Sequence, residues 1–272
     1  MNYKKNYRPA KGLTRLCKMG ECSLEILEFS IIELAPGQEI IFNTEETETA
    51  FIILSGRCSL EYDEVKWQEL GSRRTVFEGK ATSAYVGRRK AVRIWTSWNV
   101  KIAVVQTPIE EDTEGFVVKP EEVKTVILGK PTWKRDTHFI FDGSTPTKRL
   151  CIGEAYVDPG NWAGFPPHKH DVDNMPAEGV LEELYYFLFQ PNQGFGFQRL
   201  YTADGEIDEV YVVKNDDLVE FPKGYHTTVA APGYNSYFLW AMAGDNKGFY
   251  RSSDPEHEWV SAIENFITKN NL

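Results

Sequence analysis

Apolar residues in this chain fall in short runs, each closed by a turn signal. The runs at 31–34, 50–54, 102–105, 184–189, 209–213, 218–221 and 236–240 are examples, rich in β-branched and aromatic residues. Pro36-Gly37, Ser55-Gly56, Pro159-Gly160, Asp204-Gly205 and Pro232-Gly233 separate them. Many short strands with turns at this spacing predict an all-β protein of sandwich or barrel type.

The pattern also repeats. An apolar strand leads into Pro36-Gly37, a polar stretch follows, and then comes AFIIL at 50–54. In the second half a strand leads into Pro159-Gly160, a stretch containing His-Lys-His follows, and then comes LYYFLF at 184–189. This rhythm predicts a duplicated β-barrel unit, one copy over 1–115 and the other over 116–272, with a hinge near 107–125 where charged residues gather around Pro108 and Pro120. Towards the C-terminus the period changes. Asp254 can cap a helix with Pro255 at its first position. Trp259, Ile263, Phe266 and Ile267 then recur at helical spacing, which predicts an amphipathic C-terminal helix.

Composition narrows the functional classes. Across 272 residues, 42% hydrophobic and 13% aromatic content suffices for a sizeable core. A net charge of -10 without a basic tract argues against nucleic acid and anionic membranes as partners, and leaves a small molecule. Any anionic substrate must then meet a local cation working against the global field. No apolar run is long enough to span a membrane, and the basic start MNYKKNYRPAKG leads into no apolar signal stretch. Cys17, Cys22, Cys58 and Cys151 form no C-x-x-C pair and are expected as reduced thiols of a cytoplasmic protein.

The chemistry gathers in the second half. No histidine precedes His138, and three of the five are His168, His170 and His226. Strand side chains alternate faces, so His168 and His170 point one way and Lys169 points the other, towards solvent. Glu182 and Glu183 open the next strand, and only one of them can face the histidines. His226 ends Pro-Lys-Gly-Tyr-His, where Gly224 permits a tight turn that swings the imidazole inward. Three imidazoles and one carboxylate suit one divalent metal, zinc or manganese foremost, with iron, cobalt and nickel also accommodated. Calcium and magnesium would take more oxygen ligands. The matching region of the first half, 43–48, offers Asn, Thr and Glu but no imidazole, and is expected to serve stability and dimerisation.

The H-x-H pair, the later glutamate and P-x-G-x-H resemble the two signature motifs of the cupin barrel. A longer set closely resembles the 5-deoxy-glucuronate isomerase family of inositol catabolism: Gly153-Glu154, GNWAGFPPHKHD, LEELYYFLF, GFGFQRLYT, FPKGYH, APGY and WAMAG, with SGRCSLEY, LGSRRTVFEG and GKPTWKRD in the first half. The related uronate ketol-isomerases of pectin breakdown share the metal motif and an ending like 240–246. The resemblance implies an all-β bicupin, two jelly-roll-like barrels with a C-terminal helix and a metal in the second barrel only. It implies the ligands His168, His170, Glu183 and His226; Glu183 is chosen because Tyr185 then follows on the same face, with Glu182 the alternative. It further implies aldose–ketose isomerisation of 5-deoxy-glucuronate to 5-dehydro-2-deoxy-gluconate, and a homo-oligomer. Against the cupin motifs, the second is one residue shorter than P-x-G-x-x-H, and the glutamate lies further from H-x-H than in most cupins, which implies an inserted loop, DVDNMPAEGV. The chain departs from the isomerase family in two places. Trp162-Ala163-Gly164-Phe165 replaces W-S-S-Y, and Thr227 replaces a proline.

Isomerisation through a cis-enediol needs a group that takes a proton from C2 and returns it to C1. Glu183, Tyr185 and Tyr201 are the candidates, with Tyr225 and Tyr237 as further phenols. Arg199 is the candidate cation for a substrate carboxylate, since guanidinium binds it in a fork. Gln198 and Tyr225 are candidate substrate contacts, although strand parity lets only one of Gln198 and Arg199 face the cavity. Two other activities share the ligand set. A dioxygenase would need a redox metal and an oxidisable substrate; a sugar-binding cupin would hold its ligand without turnover.

Overall fold

A computed structural model describes residues 2–269 of the protein. The seven apolar runs all lie inside strands, for example within Thr47–Gly56, Glu182–Gln190 and Asn235–Ala243. Every ladder between named strands is antiparallel, and the strands form four sheets.

Two of the sheets belong to the first half. A six-stranded sheet runs Phe116–Val118, Ser83–Val86, Thr47–Gly56, Val100–Pro108, Glu28–Leu34, Gly12–Cys17, and faces a four-stranded sheet of Glu39–Asn43, Ala91–Trp95, Cys58–Tyr62 and Val65–Leu70. The second half repeats this order. Asp217–Phe221, Glu182–Gln190, Asn235–Ala243, Leu150–Val157 and Arg135–Phe141 form the centre of a seven-stranded sheet. Trp162–Lys169, Tyr225–Ala230, Phe195–Tyr201 and Asp208–Lys214 take the places of the four-stranded sheet, with Ser252–Ser253 added at the edge. The rhythm in the sequence is therefore a duplicated topology, and the fold is an all-β bicupin. Two short edge strands complicate the halves: Lys4–Asn6 pairs with Asp217–Phe221 in the second sheet system, and Phe116–Val118 pairs with Ser83–Val86 in the first.

Strand alternation sorts the core. On Thr47–Gly56, Phe51 and Ile53 fill the first barrel, while Ala50, Ile52 and Leu54 face the other half. On Glu182–Gln190, Tyr185, Phe187 and Phe189 point into the second barrel, while Leu184 and Tyr186 pack between the halves. The two large sheets thus sandwich a shared apolar layer. Carboxylates pin it. Glu48 accepts the amides of Lys148, Arg149 and Leu150 at 2.7, 2.7 and 2.8 Å. Glu182 accepts those of Glu25, Ile26 and Leu27 at 2.7, 2.9 and 3.1 Å. Arg73 of the first half forks onto Glu154 of the second at 2.6 and 3.2 Å, with both side chains buried.

The cysteine expectation is corrected in part. Cys17 and Cys22 are joined as a disulfide, because a turn with Cys22 N–H on the Lys18 carbonyl brings their Cα atoms to 5.4 Å. Cys58 and Cys151 are free and buried, as expected. At the C-terminus Asp254 accepts the Glu256 amide at 2.9 Å over a 3-10 turn, Pro255–His257, and the helix Trp259–Lys269 follows. Among the described residues no helix is long and apolar enough to cross a membrane.

Candidate metal centre

The site forms where two strands of the second barrel face each other. Trp162–Lys169 pairs with Tyr225–Ala230 so that His168 lies directly opposite His226. The ladder between them breaks after Ala163, where Gly164 takes a φ of +63°. Gly224 precedes the other strand with φ +94°, and a Cβ there would stand 2.6 Å from the Tyr201 carbonyl oxygen, so the turn that delivers His226 requires glycine. His170 lies just beyond its strand. Its ring is oriented by Nδ1, 2.6 Å from the Leu181 carbonyl, while Leu181 N–H donates back to the His170 carbonyl at 2.9 Å.

Glu183 meets this group from the strand Glu182–Gln190 of the opposite sheet. Its Oε2 is 2.9 Å from His170 Nε2 and 3.0 Å from His226 Nε2. One ligand atom each from His168, Glu183 and His226 lies within 4.8 Å of the others. His226 Nε2 is buried and, despite its closeness to Glu183, has no aligned hydrogen-bond partner. Glu182, one residue earlier, points to the other half, where its oxygens are taken by the 25–27 amides.

The electrostatics suit a cation. Burial, reinforced by Arg251 and the two neighbouring imidazoles, holds His168 well below its ordinary pKa and therefore neutral. Burial opposes charge on Glu183, but the His170 and His226 rings outweigh it and hold the carboxyl at about 2. Burial likewise opposes a charged His170, and Glu183 overrides it and raises that pKa. Three nitrogen donors and an ionised carboxylate, buried together with one imidazole nitrogen unpartnered, fit a borderline divalent metal.

Tyr185 shares the inward face with Glu183 and borders the same pocket, stacked on Phe238 with centroids 4.4 Å apart. Burial first and Glu183 second push its phenol well above the usual value, so it stays protonated. The other candidates do not border the pocket. Gln198 faces the barrel interior and donates to the Thr227 carbonyl at 2.9 Å. Arg199 turns outward onto Asp208 at 3.0 Å, with its guanidinium 4.0 Å over the Tyr201 ring. Tyr201 hydrogen-bonds Asp254 and so ties the start of the C-terminal helix to the barrel. Tyr225 packs on Tyr201 with centroids 5.4 Å apart. Lys169 does point away from the ligands, but it is half-buried rather than exposed. It pairs with Asp171 at 2.6 Å and Glu178 at 2.7 Å, and so anchors the inserted loop. Thr227 uses its hydroxyl on the Ala163 carbonyl at 3.0 Å, bridging the break in the ladder.

Two functional candidates escaped the sequence reading. Arg135 and Arg251 both border the pocket beside His168. Arg135 sits in an ordinary strand pattern and Arg251 in an irregular segment, so neither spacing nor periodicity marks them.

Two repeated jelly rolls with histidines and a glutamate in one of them define a bicupin with a candidate metal barrel. The oxalate decarboxylase of Lactobacillus farciminis shares that fold at a TM-score of 0.68 and 10% identity, over 100% of this chain and 94% of that one. The chain belongs to the KduI/IolB family, whose match covers residues 4–260. It is 38% identical to the 5-deoxy-glucuronate isomerase of Geobacillus kaustophilus over 87% of this chain and 86% of that protein. It is 34% identical to the Listeria monocytogenes protein of the same name, over 94% and 95%. The crystal structure of an IolB-like protein from Salmonella typhimurium superposes at a TM-score of 0.92 with 28% identity, covering 96% of this chain and all of that one.

Proposed function

We propose that this chain is a metal-dependent aldose–ketose isomerase of a deoxy-uronic acid, taking 5-deoxy-glucuronate as its relatives' name states. The carrying observation is the meeting of His170 and His226 on one Glu183 oxygen, with His168 opposite His226, in a chain of this family. The reading assigns the chemistry to the second unit, 116–272, and treats 1–115 as the metal-free unit. A small sugar acid is the partner, and a net charge of -10 gives nucleic acid no foothold.

A divalent ion held by His168, His170, Glu183 and His226, zinc or manganese foremost, would supply Lewis-acid stabilisation of the negative charge that develops on the substrate's carbonyl and neighbouring hydroxyl oxygens. The chain's own residues prepare that place. The Leu181 carbonyl orients the His170 ring through Nδ1 and leaves Nε2 turned to Glu183. Burial keeps His168 neutral, with a free lone pair. The reaction takes a proton from C2 and returns one to C1. Tyr185, protonated and on the pocket wall, holds a proton at its hydroxyl, and Glu183 is the carboxylate on the same strand face.

The test is incubation of protein loaded separately with zinc, manganese, iron, cobalt or nickel with 5-deoxy-glucuronate in deuterated water, followed by NMR. Conversion to the ketose with deuterium entering the carbon chain is expected. Absence of conversion with every metal would sink the substrate assignment.

A further inference from the structure

We infer that Arg135 and Arg251 together form the carboxylate-binding end of the metal pocket. The inference rests on the isomerase reading and names the part of the protein that selects an acid over a neutral sugar.

Arg135 opens the strand Arg135–Phe141, and only 8% of it is exposed. A buried guanidinium ordinarily carries its own counter-ion, because desolvating an unpaired charge is costly. Arg73, the other deeply buried arginine, obeys this rule through its fork with Glu154. Arg135 does not: its backbone is paired in the sheet, but its guanidinium has no hydrogen bond or ion pair among the described residues. Arg251 sits at the exposed rim, just before Ser252–Ser253, and is equally unpaired. The two are near enough that Arg251 adds to burial in lowering the Arg135 pKa, to about 10, which still leaves Arg135 cationic at neutral pH. Glu264 borders the outer end of the recess and favours the Arg135 charge.

Two mutually repelling cations flanking one recess are relieved when an anion lies between them. That recess also contains His168, so a single ligand can lie with oxygens at the histidines and an anionic group at the arginines. A sugar with a carbonyl at one end and a carboxylate at the other has that shape. Arg199 cannot take the role, because it lies outside the barrel on Asp208.

The experiment compares 5-deoxy-glucuronate with 5-deoxy-glucose, in which a CH2OH replaces the carboxylate, using wild type, Arg135→Gln, Arg135→Lys and Arg251→Gln, all with metal content measured. In wild type the acid is strongly preferred in kcat/KM. Each Gln variant is expected to lower the acid-to-alcohol ratio by about 10- to 100-fold, mainly through KM for the acid, as loss of a charge-assisted fork does. Arg135→Lys recovers part of the ratio, and metal content stays at the wild-type level. An unchanged ratio in both Gln variants overturns the inference, as does an equal loss on acid and alcohol. Arg251 is at the rim, so its variant reports even if Arg135→Gln does not fold. If wild type turns over neither sugar, the isomerase reading fails. Calorimetric titration of the same proteins with 5-deoxy-glucuronate then decides the arginine site alone: weaker binding in the variants supports it, and equal binding overturns it.

Discussion

The two barrels repeat one topology and differ in what they place at one end of the interior. In the second barrel the inward pair across the first two strands of the smaller sheet is His168 and His226. In the first barrel the inward cross-strand pair on the equivalent strands is Phe42 and Val92. Where Glu183 and Tyr185 face the second interior, Thr49 and Phe51 occupy the matching strand, and Phe42 meets Phe51 edge-on at 5.5 Å. Both barrels keep an apolar cluster, and the second also accommodates buried imidazoles and a carboxylate. The fold tolerates a reactive centre in one copy because that barrel's own apolar cluster, the other copy and the layer between them hold the structure together. The residues facing outward show the opposite trend. Glu48 and Glu182, on equivalent strands, each take three backbone amides of the opposite half. The joint kept its pseudo-symmetry while the interiors diverged.

The comparison breaks most sharply at the ligands. His226→Ala should abolish metal retention and lower kcat/KM by about 10³-fold or more, as removal of the groups that stabilise developing charge does. Elemental analysis and steady-state kinetics read both, and the thermal transition should change far less than the activity. Phe51→Ala in the first barrel should do the reverse. A large-to-small change in a buried aromatic costs about 3–5 kcal/mol through lost burial and a residual cavity. Metal stoichiometry per folded chain should stay the same. Denaturant unfolding measures the first effect and elemental analysis of the soluble fraction the second. A Phe51→Ala protein that lost its metal would show that the two interiors are coupled.

Much of this contrast was legible in the residues. Period-two alternation and turn dipeptides located the strands, because half-buried strands impose that pattern directly. The absence of histidine before His138 separated a reactive barrel from a filled one. Parity placed His168 and His170 together and Lys169 apart, but it could not say that Lys169 has two acidic partners, Asp171 and Glu178, inside the inserted loop. Parity also left Glu182 and Glu183 alike; the structure separates them, since only the 25–27 segment explains what Glu182 does. Arg135 and Arg251 were invisible for a related reason. They come from distant parts of the chain, and one of them lies in a segment with no regular period. Tyr201 and Arg199 looked like site residues because they sit in a motif-rich strand, yet that strand's alternate positions face outward.

The joint between the barrels supports a smaller and more specific prediction. Glu48 is fully buried and holds four donors: three amides and the Tyr85 hydroxyl at 2.6 Å. Glu182 is only partly buried and holds three. Replacing a carboxylate by alanine strands those donors, at about 1–3 kcal/mol for each buried group left without a partner. Water can reach part of the Glu182 site but not the Glu48 site. Glu48→Ala should therefore lower the unfolding midpoint clearly more than Glu182→Ala, although the two clamps look alike in the pseudo-symmetric pair. Equal losses would mean that solvent does not relieve the second clamp.

The smallest effect expected is at the C-terminal helix, and it separates an anchor from a reactive group. Asp254 accepts the Glu256 amide and the Tyr201 hydroxyl, so Asp254→Ala removes an N-cap and leaves a phenol without its partner. Loss of an N-cap costs about 1 kcal/mol. The change in stability should be of that size, and kcat on 5-deoxy-glucuronate should stay within about twofold, because a 1.4 kcal/mol effect on the barrier would already be tenfold. Tyr185→Phe, on the pocket wall, should instead lower kcat by about 10²-fold, the usual contribution of a positioned proton carrier. If Asp254→Ala lowered kcat as far as Tyr185→Phe does, the Tyr201–Asp254 pair would belong to the proton path, and the line between the reactive interior and its supporting shell would have to move outward to include the helix.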